Sequence, residues 1–274
     1  MRPVVAVLAG LVAFAAAVVT VPLLWVSTHV ADEDGYVRFS SELATDQKLQ
    51  EAFVARLVDE YVQRKDIPES LQEPVTSALT DVTRTTTNQP GFVEAWEQTQ
   101  RDLHRSAFKD GDGPLTVSLR PMATFVTSRL DRNLPISLEV PGEVRAQIGT
   151  AQDRERLVWV ERSRTWSLLG LLVVLVAATV SLVAARSRPL ALAGLGLGAL
   201  ATAGVLRVAI EIAVPELTER AESKSPFARA VQPLLVDRAA ASLTDWLVWI
   251  ALGGGAAVVL GVLGRLVSGR PRRG

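Results

Sequence analysis

Four stretches of the 274-residue chain are long, apolar and nearly free of charge, and the polar stretch 27–164 separates the first from the other three. The first run reaches from Pro3 to Val26. The second, Trp166–Ala185, and the third, uncharged from Pro189 through Leu206, are joined by Arg186-Ser187-Arg188. The fourth starts near Trp246 and ends at Val267. Crossing the hydrocarbon core of a bilayer takes about 20 apolar residues at a rise of about 1.5 Å each, and each run is close to that length. The pattern predicts an α-helical membrane protein with four transmembrane helices, over 1–26, 165–185, 189–212 and 244–267. Residues 27–164 form an extracytoplasmic α+β domain, mostly helical with two or three short strands. Residues 213–243 are an extracytoplasmic loop, with 228–235 a candidate short interfacial helix, and 268–274 are a basic tail.

The first run is read as an uncleaved signal anchor. A cleaved signal peptide with Ala15-Ala16-Ala17 as the processing site is the alternative, but its apolar core would be only about 7–15 residues, and this run continues to Trp25. Orientation follows from the flanking charges. With both termini inside, that face carries Arg2, Arg186, Arg188, Arg265, Arg270, Arg272 and Arg273 and no acid. An excess of Lys and Arg in short loops marks the cytoplasmic side. Trp25, Trp166, Trp246 and Trp249 then fall at the outer ends of the spans, where tryptophan is enriched.

Within 27–164 the pattern changes several times. Asp32-Glu33-Asp34-Gly35 reads as a turn and Tyr36–Phe39 as a short extended piece. Thr45-Asp46 caps a helix whose apolar positions Leu49, Phe53, Leu57 and Tyr61 recur every fourth residue. A second helix is expected over 71–82, followed by a loop. Pro90 opens a third, with Asn88 as a candidate cap. Its stripe of Phe92, Trp96, Gln100 and His104 predicts a buried face packing near Phe53 and Leu57, with Glu97 and Arg101 as an i,i+4 pair beside it. Residues 115–119 and 136–140 alternate as strands around a helix at 122–130, which points to a small β-α-β unit with a parallel pair. Residues 144–148 are ambiguous, and 154–161 form a helix leading into the second span.

The net charge is zero, but 27–164 holds 23 acids against 17 bases and the remainder is positive. That balance gives no case for nucleic acid. There is no cysteine, which excludes disulfides, Cys-ligated metal and a thiol nucleophile. Four lysines among 29 basic residues, with abundant alanine and valine, point to a GC-rich bacterial genome.

Candidate chemistry is sparse. There are two histidines, His29 and His104, and no Gly-x-Ser-x-Gly or His-x-x-x-His, so a hydrolase triad or a zinc site has little to build on. Ser106-x-x-Lys109 lacks the companion boxes of penicillin-binding enzymes. Asp32–Gly35 and Asp110–Gly113 do not match a calcium loop. No catalytic residue, metal ligand or cofactor is assigned. The candidate ligand or partner residues are Trp96, Arg101, His104, Arg207 and Glu211. The last two form an i,i+4 pair at the end of the third span. They either bind an anionic group or relay a proton, or snorkel to the outer headgroups. Gly194, Gly198, Gly255 and Gly261 are assigned to close helix packing.

Several segments together resemble an uncharacterised family of actinobacterial integral membrane proteins. They are Asp34–Val37, Leu43–Asp46, Phe92–Trp96 through Arg101–His104, Leu115–Leu119 and Arg186–Gly198. The resemblance implies one span, an extracytoplasmic domain and a C-terminal three-span unit, and it transfers no catalytic residue. The expected function is non-enzymatic: assembly, sensing or scaffolding in the cell envelope of a bacterium. The expected partners are the lipid bilayer and a membrane or envelope protein. An envelope enzyme acting on a lipid-linked substrate, or a transport-complex accessory subunit, are the alternatives.

Overall fold

The computed structural model describes residues 2–52, 55, 73, 77, 89–109, 113–133, 145–147, 149–219 and 226–268. Among the described residues the elements with complete bounds follow in this order: α1 (Arg2–His29), α2 (Glu33–Ser41), a 3-10 turn (Glu42–Thr45), α3 (Pro90–Lys109), β1 (Thr116–Ser118), α4 (Arg120–Asn133), β2 (Arg145–Gln147), α5 (Ala151–Ala184), α6 (Arg188–Glu219) and α7 (Pro226–Ser268); residues 47–52, after the Asp46 cap, are helical as well. Of the expected helix over 71–82 only Glu73 and Ser77 are described, and both are helical; the loop after it, Asn88, the strand 136–140, and the packing partners Phe53 and Leu57 lie outside the described residues.

Helices α1, α5, α6 and the Val231–Val267 part of α7 are long and apolar enough to cross a membrane. The chain is a helical membrane protein. All four helices run on beyond the spans marked by hydropathy. α5 begins at Ala151, since nothing between Thr150 and Trp166 breaks a helix, and Thr150 and Asp153 cap its start reciprocally (Asp153 N to Thr150 Oγ1 3.2 Å, Thr150 N to Asp153 Oδ2 2.9 Å). The interfacial helix expected over 228–235 is the first part of α7, and Pro233 lies inside it.

The chain divides into two compact units. One comprises Met1–Ser27, Arg162–Glu216 and Arg238–Gly274, and the other Thr28–Glu161 with Leu217–Asp237. In the first, helices meet along narrow seams of small residues. α1 buries Ala6, Ala13, Thr20 and Ser27, spaced by seven, and α5 buries Ser163, Ser167, Ala177 and Ser181. The Ser181 hydroxyl donates to the Ala6 carbonyl (2.9 Å), Ser167 Oγ lies 3.4 Å from Ser27 Oγ, and Gly170 is pressed against Thr20. A seven-residue repeat keeps one face toward a single neighbour over a long contact. α6 and α7 pack antiparallel in the same way. A Cβ on Gly196 would lie 2.5 Å from the Gly254 carbonyl, and one on Gly261 would lie 2.5 Å from the Pro189 carbonyl and 2.7 Å from Ala193 N. Ala203, Leu206 and Leu247 form a small apolar cluster at the other end, with Val18, Val21, Ile210 and Ile250 against it. Trp25 faces this interior: it is 6% exposed and its indole donates to Ser242 Oγ (3.1 Å). It is thus an internal hydrogen-bond donor, unlike Trp166 and Trp249, which are exposed.

The second unit is built on a core of Leu43, Ala44, Leu49, Phe92, Trp96, Val117, Leu119, Met122, Ala123 and Val231. Val231, Leu234 and Leu235 come from the segment expected to be a separate loop, so that segment is part of this unit's core. β1 pairs antiparallel with β2 (Val117 with Ala146), and the Leu115 and Gly149 backbones extend the pairing (3.1 and 3.2 Å). The ambiguous segment 144–148 thus contains the described partner of β1; the parallel pair expected with 136–140 lies outside the described residues.

Residues 36–39 are helical, not extended. Asp32 is an N-cap accepting from Gly35 N (2.8 Å), and Glu33 and Asp34 fill the first turn, where carboxylates complement the helix dipole. The two-residue spacing of Gly35, Val37 and Phe39, all buried, imitates a strand. Gly35 is required here, because a Cβ would collide with the Thr28 carbonyl.

The seams give a discriminating set of substitutions. Gly196→Leu or Gly261→Leu forces bulk into backbone contacts and is expected to cost about 1–3 kcal/mol or more. Gly194 and Gly255 have nothing within 4 Å of a built Cβ, so Gly194→Leu and Gly255→Leu are expected to leave thermal stability in detergent unchanged.

Candidate functional site

The candidate residues of the polar stretch lie on α3. Its face Phe92, Trp96, Thr99, Gln100 and His104 is buried throughout, because the spacing of four returns each side chain to the same side of the helix. The neighbour that covers much of it is α2. Trp96 Nε1 donates to the Ser40 carbonyl (2.8 Å), and the Tyr36 hydroxyl donates to Gln100 Oε1 (2.9 Å). His104 Nε2 lies 3.1 Å from the Val30 carbonyl. A carbonyl only accepts, so Nε2 carries the proton. The imidazole is enclosed by Tyr36 and Phe108, with ring centroids 5.6 and 4.5 Å away.

Arg101 does not join His104. It reaches across to α2, where its Nη1 donates to Asp34 Oδ1 (2.8 Å) and lies 3.9 Å from Glu33. Arg105 completes this surface ladder at 3.1 Å from Glu33. The hydrogen bond and charge of Arg101 hold the Asp34 carboxyl below its ordinary value, and the same contact raises the already high pKa of Arg101. Glu97, the partner expected from helical spacing, adds only a minor charge effect on Arg101. So the structure brings Trp96 and His104 together in one buried face and turns Arg101 to the surface. Tyr36 and the acids of α2 were missed as partners because residues 32–39 were read as turn and strand. Asp32 as N-cap followed by two acids was the available signal.

Arg207 and Glu211 form an ion pair on α6 (3.2 Å) with both side chains at least half exposed. Arg207 Nη1 also donates to Thr244 Oγ1 on α7 (3.0 Å), which ties the two helices together. Among the glycines assigned to helix packing, Gly261 makes a close backbone approach. A Cβ on Gly198 would lie 3.9 Å from Phe14 Cβ, an ordinary contact, and Gly194 and Gly255 face open space. The close contacts fall on Gly196 and Gly254 instead, since on a 3.6-residue helix a shift of one or two positions turns a residue off the seam.

Chemically, the α2–α3 contact is a set of satisfied pairs. Among the described residues, no group of three or more His, Asp or Glu is placed to hold a metal ion. No protein-family model, no curated protein and no solved structure matches the chain.

Two measurements test this account. Trp96→Ala removes a buried ring and the indole hydrogen bond to the Ser40 carbonyl, which keeps only the Glu42 backbone N–H. The loss is expected to be about 3–5 kcal/mol, a large share of the roughly 5–15 kcal/mol that holds a domain, so limited proteolysis should show this unit unfolded while membrane insertion persists. The second is a pH profile. Burial pushes the Tyr36 hydroxyl from 10.0 up to about 12. Below the lower value folded and unfolded chains both keep the proton; between the two only the folded chain does. Stability should therefore fall as pH rises through that interval, and Tyr36→Phe should flatten this alkaline limb in denaturation curves.

Proposed function

We propose that the chain is a multi-pass protein of a bacterial plasma membrane, with both termini cytoplasmic and the unit around α2 and α3 outside. That unit binds an envelope protein or lipid in an assembly, sensing or scaffolding role, without chemistry of its own. The observation that carries this reading is the way the candidate groups are spent: His104 on a backbone carbonyl, Gln100 on Tyr36, Trp96 on Ser40 and Arg101 on Asp34. A general acid or base needs a group within reach of a substrate, and the buried groups of this set face one another. The exposed ladder of Glu33, Asp34, Arg101 and Arg105 offers alternating charge suited to a polar partner surface. The orientation rests on the seven arginines at the termini and the 186–188 hinge, with no acid among them. The likeness to actinobacterial integral membrane proteins supports the same topology.

Protease added to intact spheroplasts should degrade the polar unit and spare a C-terminal tag; loss of the tag would reverse the orientation. For function, a deletion strain is complemented with His104→Gln and with Arg101→Gln Arg105→Gln. Under the binding reading, His104→Gln complements as long as the unit folds, while the double variant loses the partner that co-purifies after mild detergent extraction. Failure of a folded His104→Gln protein to complement would favour the enzyme reading.

A further inference from the structure

The end of the four-helix unit nearest the 186–188 hinge holds an open groove that helix packing does not fill. Its volume is about 680 Å³, within the range of about 300–1,000 Å³ usual for small-molecule sites. Val7, Leu11 and Phe14 of α1 form one wall, and Leu190, Gly194 and Leu197 of α6 form the other. Gly194 is what keeps the trough open: nothing lies within 4 Å of where its Cβ would be, and Gly198, one turn on, only touches Phe14.

Polarity along the groove is uneven. Ser181 lines it, but its hydroxyl is already given to the Ala6 carbonyl. The other polar lining residues, Arg186 and Ser187, are both at the hinge, and Arg186 is exposed. Among the described residues, no Asp or Glu lines the groove. The result is a trough that is apolar along its length and cationic at one end. In a bilayer that end lies at the headgroup level, since the hinge separates two spans.

We propose that this groove seats one acyl chain of an anionic phospholipid of the bilayer, with the lipid phosphate on Arg186. Charge complementarity selects this occupant. An apolar chain fills the Gly194 trough, and a guanidinium pairs with phosphate through a planar fork of donors. Exposed Arg188, two residues on, adds to the positive field at the same hinge. A zwitterionic lipid would fill the trough equally well but gain less at its mouth. One arginine at a membrane surface corresponds to about a fivefold preference for the anionic headgroup. The proposal needs the four helices to lie in a bilayer and is independent of what the polar unit binds.

The test uses the full-length protein reconstituted in nanodiscs of equimolar phosphatidylglycerol and phosphatidylcholine, released and weighed by native mass spectrometry. One retained phosphatidylglycerol per chain is expected, favoured about fivefold over phosphatidylcholine. Gly194→Leu should lose the retained lipid of both kinds without a change in thermal stability. Arg186→Gln, on the exposed hinge, should keep a lipid but lose the headgroup preference. If Gly194→Leu does not fold, Ala201→Phe, which also lines the groove, blocks it in its place. Retention of phosphatidylglycerol by the blocked variant at the wild-type level would overturn the proposal, as would an unchanged preference in Arg186→Gln. A dimer mass that the blocked variant abolishes would give the groove to a second copy of the chain and overturn it too. The protease result on orientation is read separately, so either conclusion can fail alone.

Discussion

Helices in a bilayer gain little by burying apolar side chains against each other, because the lipid tails around them are as apolar as leucine. What holds them is close backbone approach, and that constraint organises the four long helices here. The α1–α5 seam is alanine, serine, threonine and glycine, and the α6–α7 seam runs through Gly196, Gly254 and Gly261. Large residues are left on the outside: Leu8, Leu11 and Val19 of α1 and Leu168, Leu172 and Val176 of α5 are all exposed. The few hydroxyls in the seams, such as Ser181 on the Ala6 carbonyl, add directional contacts where water cannot compete.

The polar unit obeys the opposite rule. There water drives apolar side chains together, and with no cysteine to staple the unit its core must supply the stability. Phe92, Leu119 and Met122 are fully buried. The polar atoms carried into this interior by Trp96, Tyr36 and His104 each meet a hydrogen-bond partner, which offsets the cost of taking them out of water. The same bonds fix the register of α3 on α2, so these polar side chains serve packing and specificity together.

Function follows from where groups remain uncommitted. On the polar unit the buried groups are paired, and the exposed charges form a ladder suited to recognition. In the helical unit the uncommitted features are the Gly194 trough and the arginines at its mouth. The proposed partner surface rests on the first of these features and the proposed lipid site on the second.

Four membrane-length helices and the buried stripe of α3 were legible in the sequence, since each depends only on the length of an apolar run or on the 3.6-residue period. The start of α3 at Pro90 was legible for the same local reason. Other features were not. Residues 32–39 carry both a strand-like alternation and a helix cap, and only packing against α3 decides for the helix. Val231 and Leu234 join the core of the polar unit from a segment far along the chain, which no local pattern reveals. Of the glycines assigned to packing from sequence, Gly261 lies on the α6–α7 seam, while the other contacts fall on Gly196 and Gly254, one or two positions from those named, because a glycine-rich helix offers several faces and the neighbouring backbone selects one. His104 and Arg101 sit three residues apart on one helix, yet one turns inward to a carbonyl and the other outward to a carboxylate. Local periodicity determined the long helices and their capping contacts; the pairing of faces, and with it the partners of Trp96, Gln100, Arg101 and His104, was decided by tertiary contacts between residues distant in sequence.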